Sequence, residues 1–332
     1  MQSHFTPEAL KWFESYLTCQ TGLNCQLIFA NGKQKMIFKD ENKVFVFYFT
    51  NRKYAHKILK LEDITAKLKS SGIRIRKHLK YFIPAEEVDD FFIQISEKNI
   101  SINASLPQLL IEVINRFEEY DYKSAELHKR FQLKDSILYK NNAYLYPIVD
   151  IWVSFITDYL KFNGFKIKSH TFNYSLSCDI DNISRFSDVP LLRKTYNLIS
   201  GLIKNRKDTI NYLQNPEYYY DHLDQHNKID FMMDEADKQN LKICFNLITS
   251  NTSIRYDYRY KMRNRLKNIV HSILKKDHFL GIHYSYNALK QDNIINEWIR
   301  CNEYLNEFGL STIYGRFHYL RITIPKYFSV LS

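Results

Sequence analysis

The segment Ser175–Arg185, SLSCDIDNISR, decides how this sequence folds, because it ends an apolar run with two aspartates. The run before them, residues 172–178, alternates in character and has aromatic and β-branched neighbours, which predicts a buried strand. Residues two apart on a strand face the same side, so Asp179 and Asp181 would enter one space. When two carboxylates lie so near each other, the pKa of one of them is raised unless a cation lies beside them. The pair therefore predicts a base next to a metal ligand. The structural alternative is a D-x-D turn that caps the next helix.

The rest of the chain after residue 160 alternates strands with helices. Strands are predicted at 172–178, 241–247, 279–283 and 312–316, and helices at 190–204, 228–239, 261–276 and 290–307. Such alternation indicates a parallel sheet with right-handed crossovers, whose sites lie at the carboxyl ends of the strands. The polar residues that reach this edge are Asp179, Asp181, Asn246, His283, Arg316 and His318.

The beginning of the chain predicts a mixed α/β domain with no obvious catalytic constellation. Thr6–Glu8 provides a cap, a proline and an acid that begin a helix. Strands at 25–29, 34–38 and 44–49 form a hairpin or meander, and a second helix runs from Ser105 to Tyr120. The amphipathic segment Tyr144–Leu160 predicts a helix packed between two domains. We therefore divide the chain into domains 1–140 and 141–332.

Composition excludes several classes of protein. With 8 Gly, the chain has no glycine-rich loop of the kinds that hold phosphates. Its 5 Cys include no C-x-x-C pair, which argues against a disulfide framework or a structural zinc knuckle and favours a reducing compartment. The first residues lack the pattern of a signal peptide, and no uncharged apolar run is long enough for a membrane span. These features predict a cytoplasmic protein.

The formal net charge of +11 would suit an anionic partner, whether nucleic acid, an anionic lipid surface or an acidic polysaccharide. Residues 52–80 carry ten Lys or Arg against two acids, and residues 255–276 carry eight against Asp257. Both segments have apolar residues at helical spacing, so solvated helix faces explain the charge and we expect no nucleic-acid partner. Anion binding by these faces is nevertheless one of three hypotheses for function.

Two later segments, GIHYSYNALK (Gly281–Lys290) and GRFHYLR (Gly315–Arg321), resemble bacterial polysaccharide deacetylase-like proteins related to carbohydrate esterase family four. The segment Phe117–Asp150 resembles the join between that group's accessory domain and its barrel, and SCDIDNI resembles the strand that carries its D-x-D. The resemblance covers about residues 105–330 in the same order. It implies an α/β chain in which a mixed α/β accessory domain precedes a partial, open (β/α), TIM-like deacetylase barrel.

This resemblance implies a hydrolase that removes an acetyl group from a sugar of a bacterial surface polysaccharide or its precursor, using a divalent metal ion such as zinc. Carried over by position, the roles are a general base at Asp179 oriented by Arg316, metal ligands at Asp181, His283 and Asn287, and saccharide-binding residues at Tyr284, Tyr286, His318 and Tyr319. The chemistry is sound, because a divalent metal polarises a carbonyl and activates its bound water while a carboxylate takes the proton.

Two departures from the family pattern open alternatives. Where better-known members have His-x-x-x-His, this chain has Asn287 four residues after His283. The sequence also ends soon after GRFHYLR, so about four of some seven barrel strands can be placed. Either another chain completes the open sheet, or the chain is a truncated product with little activity. A catalytically inactive carbohydrate-binding or scaffold protein is therefore the alternative to a deacetylase.

Overall fold

The computed structural model describes residues 6–30, 33–50, 56–59, 81–84, 93–95, 99–102, 106–169, 171, 174–187, 189–250, 256–257, 264–289, 293–312 and 314–322. The chain forms two compact units of mixed α/β structure. The first unit comprises Met1–Glu126 with Phe131–Thr171, and the second comprises Leu127–Arg130 with Phe172–Ser332. None of the helices in these described ranges is long and apolar enough to cross a bilayer.

The first unit is built on a five-stranded sheet of order β1-β2-β3-β7-β6, beside the antiparallel pair β4-β5. Its described strands are β1 Asn24–Ala30, β2 Lys33–Lys39, β3 Val44–Thr50, β4 His56–Leu59, β5 Tyr81–Pro84, β6 Ile93–Ile95 and β7 Asn99–Ile102. Its described helices are Pro7–Thr21, Leu106–Asn115, Ile137–Lys140 and Ile148–Phe162, with 3₁₀ turns at Phe117–Glu119 and Leu133–Asp135. The predicted meander is confirmed, because β1 to β3 pair antiparallel in sequence order.

Capping decides where the first helix begins and ends. The Thr6 hydroxyl accepts a hydrogen bond from the amide of Ala9 at 3.2 Å, and Pro7 occupies the first helical position. At the other end Gly22 has a φ of +74°, a left-handed conformation that glycine adopts without steric cost. The sequence pattern predicts that the helix ends at about Leu17, whereas it reaches Thr21.

Two other predictions for this unit need correction. The helix expected across Ser105–Tyr120 ends at Asn115, because Arg116 adopts a φ of +54° and a 3₁₀ turn follows. Helical structure was expected within 52–80, but His56–Leu59 is a strand that pairs with Tyr81–Pro84. The remainder of that basic segment, residues 60–80, lies outside the described residues.

The Ile148–Phe162 helix belongs to the core of the first unit, and it moves the division of the chain from 140/141 to 171/172. Its side chains Trp152 and Tyr159 are buried in the same cluster as the aromatic residues of β3. The ring of Tyr159 lies 5.3 Å from that of Phe45 and 5.9 Å from that of Phe47. An amphipathic helix packs wherever a complementary apolar face exists, and here the sheet of the first unit provides that face.

The second unit contains a curled, four-stranded parallel sheet of order β11-β10-β9-β8. The strands are β8 Leu176–Ile180, β9 Ile243–Leu247, β10 Phe279–Tyr284 and β11 Gly315–Phe317. The described helices are Leu191–Lys204, Arg206–Gln214, Pro216–Tyr218, Ile229–Lys238, Asn264–Lys275 and Asn293–Asn306, with a π-helical turn at Tyr219–Leu223 and a 3₁₀ turn at His318–Leu320. The predicted alternation of strands and helices is confirmed, and the helices that begin at Arg206 and Pro216 were not predicted.

The register of this sheet aligns the polar residues across one edge. Asp179 pairs with Asn246 between β8 and β9, and His283 pairs with Arg316 between β10 and β11. Because β8 continues to Ile180, Asp179 lies within the strand and Asp181 follows its last residue. Parallel strands in register therefore bring residues more than 130 positions apart to one place.

Candidate metal centre

Three side chains converge at the carboxyl edge of the parallel sheet. Oδ1 of Asp181 lies 3.3 Å from Nε2 of His283 and 3.4 Å from Nδ1 of His318, and the two ring nitrogens are 2.9 Å apart. Both histidines are buried, whereas the Asp181 side chain is 43% exposed. The cluster therefore has buried walls and an opening toward solvent on the Asp181 side.

The fold delivers each of the three residues from a different strand. Asp181 follows β8 directly, His283 lies near the end of β10, and His318 begins the 3₁₀ turn after β11. In that turn Tyr319 and Leu320 have φ values of +58° and +53°, an uncommon conformation for residues other than glycine. Such backbone strain is often found at functional sites.

Backbone carbonyls fix which nitrogen of each imidazole carries the hydrogen. Nδ1 of His283 lies 3.0 Å from the carbonyl oxygen of Arg316, and Nε2 of His318 lies 3.0 Å from that of Tyr256. A carbonyl only accepts hydrogen bonds, so each of these nitrogens is the donor. In the neutral rings, the opposite nitrogens then direct their lone pairs at one another and at the carboxylate oxygen of Asp181.

The surroundings of Asp181 Oδ1 agree with imidazole hydrogens that point away from the centre of the three-residue cluster. This atom is buried and, within the described residues, receives no hydrogen bond, although two ring nitrogens lie within 3.4 Å of it. A buried carboxylate oxygen without a donor costs about 1–3 kcal/mol or more. Three facing electron pairs repel each other unless a proton or a metal ion lies among them.

The donor set fits a divalent transition metal. With bonds of about 2.0–2.2 Å, two ligands lie about 3.3–3.6 Å apart at a tetrahedral angle and about 2.8–3.1 Å apart at a right angle. The observed separations of 2.9, 3.3 and 3.4 Å fall in these ranges. Imidazole hydrogen-bonded to a carbonyl on its far side is also the usual arrangement of a metal-binding histidine. Asp181, His283 and His318 can thus bind such an ion where they stand.

Asp181 and His318 shift each other's pKa within the cluster. Burial by itself would raise the pKa of Asp181, but His283 and His318 outweigh it and hold that pKa well below its usual range. Burial would lower the pKa of His318, but the carboxylate of Asp181 outweighs it and raises that pKa. A proton on His318 is therefore the natural competitor of a metal ion at this site.

Asp179 is next to the cluster but has a different set of partners. Its Oδ1 accepts a hydrogen bond from Nδ2 of Asn246 at 2.8 Å, and its Oδ2 lies 3.4 Å from Nη1 of Arg316. Arg316 also donates to the hydroxyl of Ser177. Oδ2 of Asp179 is 3.9 Å from Nε2 of His283. The predicted contact between Asp179 and Arg316 is present, and the Asp179 carboxylate lies beside the three candidate metal ligands.

The structure places two predicted site residues, His318 and Asn287, differently with respect to the cluster. His318 was expected to bind saccharide, whereas its Nδ1 is one of the three converging atoms. Asn287 lies in the turn after β10, where its backbone carbonyl accepts a hydrogen bond from Asn293 Nδ2 at 3.2 Å. Its part in metal binding stays a prediction.

The three tyrosines predicted as saccharide-binding surfaces differ in exposure. Tyr284 is buried in the core and stacks on Phe317 at 4.7 Å, so it offers no free ring face. Tyr286 is also buried, with its ring 4.1 Å from that of Tyr256 and its face 4.1 Å from the Arg321 guanidinium. Tyr319 is 36% exposed and retains surface for a ligand.

His128 is a neighbour of the site that sequence reasoning missed. Its Nδ1 lies 2.9 Å from the hydroxyl of Tyr286, and its ring is 4.6 Å from that of Tyr319. Arg321 donates from Nε to the His128 carbonyl at 3.1 Å. The sequence gives no signal for His128, because Leu127–Arg130 is a short segment that belongs to the second unit while the residues on either side of it belong to the first.

Comparison with known proteins bears on the first unit. No curated protein and no solved structure matches the chain significantly. Residues 5–164 match one family model, which is described as a family of unknown function, DUF7033. The match ends before Asp181, so the donor cluster lies outside it. The first unit is therefore similar to a family whose function is undefined.

Proposed function

We propose that the second unit is a metal-dependent hydrolase that removes an acetyl group from a sugar of a bacterial surface polysaccharide or its precursor. The observation that carries this proposal is the convergence of three lone pairs, from Asp181, His283 and His318, beside the separately held carboxylate of Asp179. The choice of an acetylated saccharide rests on the sequence resemblance, as does the interpretation of the open parallel sheet as part of a deacetylase barrel.

The three donors would hold the metal ion. A bound divalent ion polarises an acyl carbonyl and lowers the pKa of water toward about 7. The exposed part of Asp181 marks the side from which water and substrate can approach. Zinc suits two imidazoles and one carboxylate, with the remaining position open, as in catalytic zinc sites.

Asp179 would act as the general base. Asn246 and Arg316 orient its carboxylate, which lies beside the three candidate metal ligands. Arg316 is itself fixed through Ser177, so it can restore the orientation of the base after each proton transfer. Such a positioned base contributes typically about 10²–10⁴-fold to a rate.

A reducing compartment fits the cysteine chemistry. All five cysteines are free thiols, and burial raises the pKa of the Cys301 thiol to about 12. We therefore place the protein in the cytoplasm, where it would act on a sugar precursor.

The test is acetate release from N- and O-acetylated saccharides by the full chain, with and without zinc. Asp179→Asn should lower the rate at least about 100-fold and leave zinc binding within about threefold of the wild type. Asp181→Asn should lose both zinc and activity, and His226→Gln, an exposed histidine of the same unit, should lose neither. Release that survives Asp179→Asn, or that requires no metal, would refute the proposed mechanism.

An inactive carbohydrate-binding protein is the second candidate, favoured by the exposed ring of Tyr319, which packs beside the rings of His128, Tyr256 and Tyr286. It predicts glycan binding that a chelator does not change. Calorimetric titration with acetylated oligosaccharides, before and after chelation, separates this candidate from the hydrolase.

A further inference from the structure

The Leu191–Lys204 helix has an apolar face that points to solvent. Its 14 residues are strongly amphipathic, yet Leu192 is 87% exposed and Ile203 is 80% exposed. The other exposed apolar residues of the helix are Leu191, Tyr196, Ile199 and Leu202. At 100° per residue, all six fall within an arc of about 140° on one side of the helix. A contiguous exposed apolar face of this kind marks an interaction surface.

Contacts outside the exposed arc of the helix fix this orientation. The Asn197 side chain donates to the carbonyl of Arg185 at 2.7 Å, and Leu198 packs against a small buried aromatic cluster. Gly201 is buried, and a Cβ there would lie 2.3 Å from Oγ1 of Thr209. The helix thus turns its more polar side toward the unit and leaves its apolar side outside.

Positive charge accompanies the apolar face. Residues 191–207, LLRKTYNLISGLIKNRK, contain five Lys or Arg and no acid. Lys204, Arg206 and Lys207, at the end of the helix and the start of the next, are exposed. An apolar face on a helix that is otherwise polar, with basic residues around it, is typical of helices that lie in the plane of a membrane interface.

Charge decides between the possible occupants of this face. A second copy of the chain would bring a second set of the exposed cations Lys204, Arg206 and Lys207 to the same interface, and each copy carries a net charge of +11. An anionic lipid surface offers the complementary sign together with an apolar layer for the six side chains. We propose that this face binds the surface of an anionic bilayer, with the Leu191–Lys204 helix parallel to the membrane.

Vesicle flotation of the full chain tests this, with vesicles of phosphatidylcholine alone and of phosphatidylcholine with about 30% phosphatidylglycerol. The wild type should bind the anionic vesicles and lose binding as salt rises. Leu192→Ser with Ile203→Ser should weaken binding at least about tenfold. Lys204→Gln, Arg206→Gln and Lys207→Gln together should weaken it about 10- to 100-fold, because each cation near the surface contributes to binding.

Leu145→Ser is the matched control, since Leu145 is 75% exposed in the first unit and should leave binding unchanged. All variants replace exposed residues, and circular dichroism and thermal melting verify that they fold. No binding to anionic vesicles, or binding that these variants leave unchanged, would overturn the proposal. Self-association that Leu192→Ser and Ile203→Ser abolish, without vesicle binding, would also overturn it in favour of a second copy. The test does not depend on the hydrolase chemistry.

Discussion

His318→Gln should destabilise the protein in the presence of zinc and leave the metal-free protein almost unchanged. In the metal-free state at about pH 8.5, the variant loses the hydrogen bond from His318 Nε2 to the carbonyl of Tyr256. The glutamine amide can instead donate to Oδ1 of Asp181, which has no described donor in the wild type. Each hydrogen bond contributes about 0.5–1.5 kcal/mol, so the two changes nearly cancel.

In the presence of zinc, the wild type and the His318→Gln variant differ in unfolding free energy. At free zinc of about 100 times the dissociation constant, the wild type gains about 2.7 kcal/mol of unfolding free energy. If losing one of three ligands weakens binding about 100-fold, the variant gains only about 0.4 kcal/mol at the same concentration. The difference of about 2.3 kcal/mol corresponds to a shift in Tm of roughly 5–9 °C for a unit of this size.

Differential scanning calorimetry at about pH 8.5 measures both states, with chelator and with buffered zinc. His226→Gln serves as control and should show the same zinc-dependent shift as the wild type. If His318→Gln were equally destabilising with and without zinc, the cluster would be an ordinary hydrogen-bonded network. A wild type whose Tm does not respond to zinc would refute the metal site.

Three further outcomes follow from individual contacts. Arg316→Lys should reduce kcat about tenfold or more and leave zinc affinity within about twofold of the wild type, because lysine cannot contact Asp179 and the Ser177 hydroxyl in the planar geometry of a guanidinium group. An unchanged kcat in the acetate-release assay would contradict this role of Arg316. Gly281→Ala places a Cβ 2.3 Å from Oδ1 of Asn246, so urea unfolding should show a loss of about 1–3 kcal/mol and the rate should fall with it. Burial lowers the pKa of His278 from 6.5, so the unfolded chain binds more protons below that pH, and stability should fall as pH drops through that value. In Tm measurements between about pH 7.5 and 5, His278→Gln should show a smaller decline than the wild type. Parallel Tm curves for the two proteins would exclude His278 as the source of the decline.

Much of the second unit follows from the sequence, because its information is local and periodic. Four segments alternate with amphipathic helices, and this pattern is enough to predict the parallel sheet. The rule that sites lie at the carboxyl edge selects Asp179, Asp181 and His283 from the amino-acid order alone. Local patterns carry this information because side-chain direction in a strand or helix depends on the backbone repeat.

Only the tertiary structure decided which atoms meet. His318 joins the cluster because the register of β11 and the turn after it aim its Nδ1 at Asp181. The carbonyls of Arg316 and Tyr256 select the ring nitrogens that face the centre of the cluster. The Leu191–Lys204 helix was predicted from its period, but the period does not say which face meets the unit. Contacts with residues distant in sequence determine such outcomes, so the amino-acid pattern specified the elements and the packing between them specified the site.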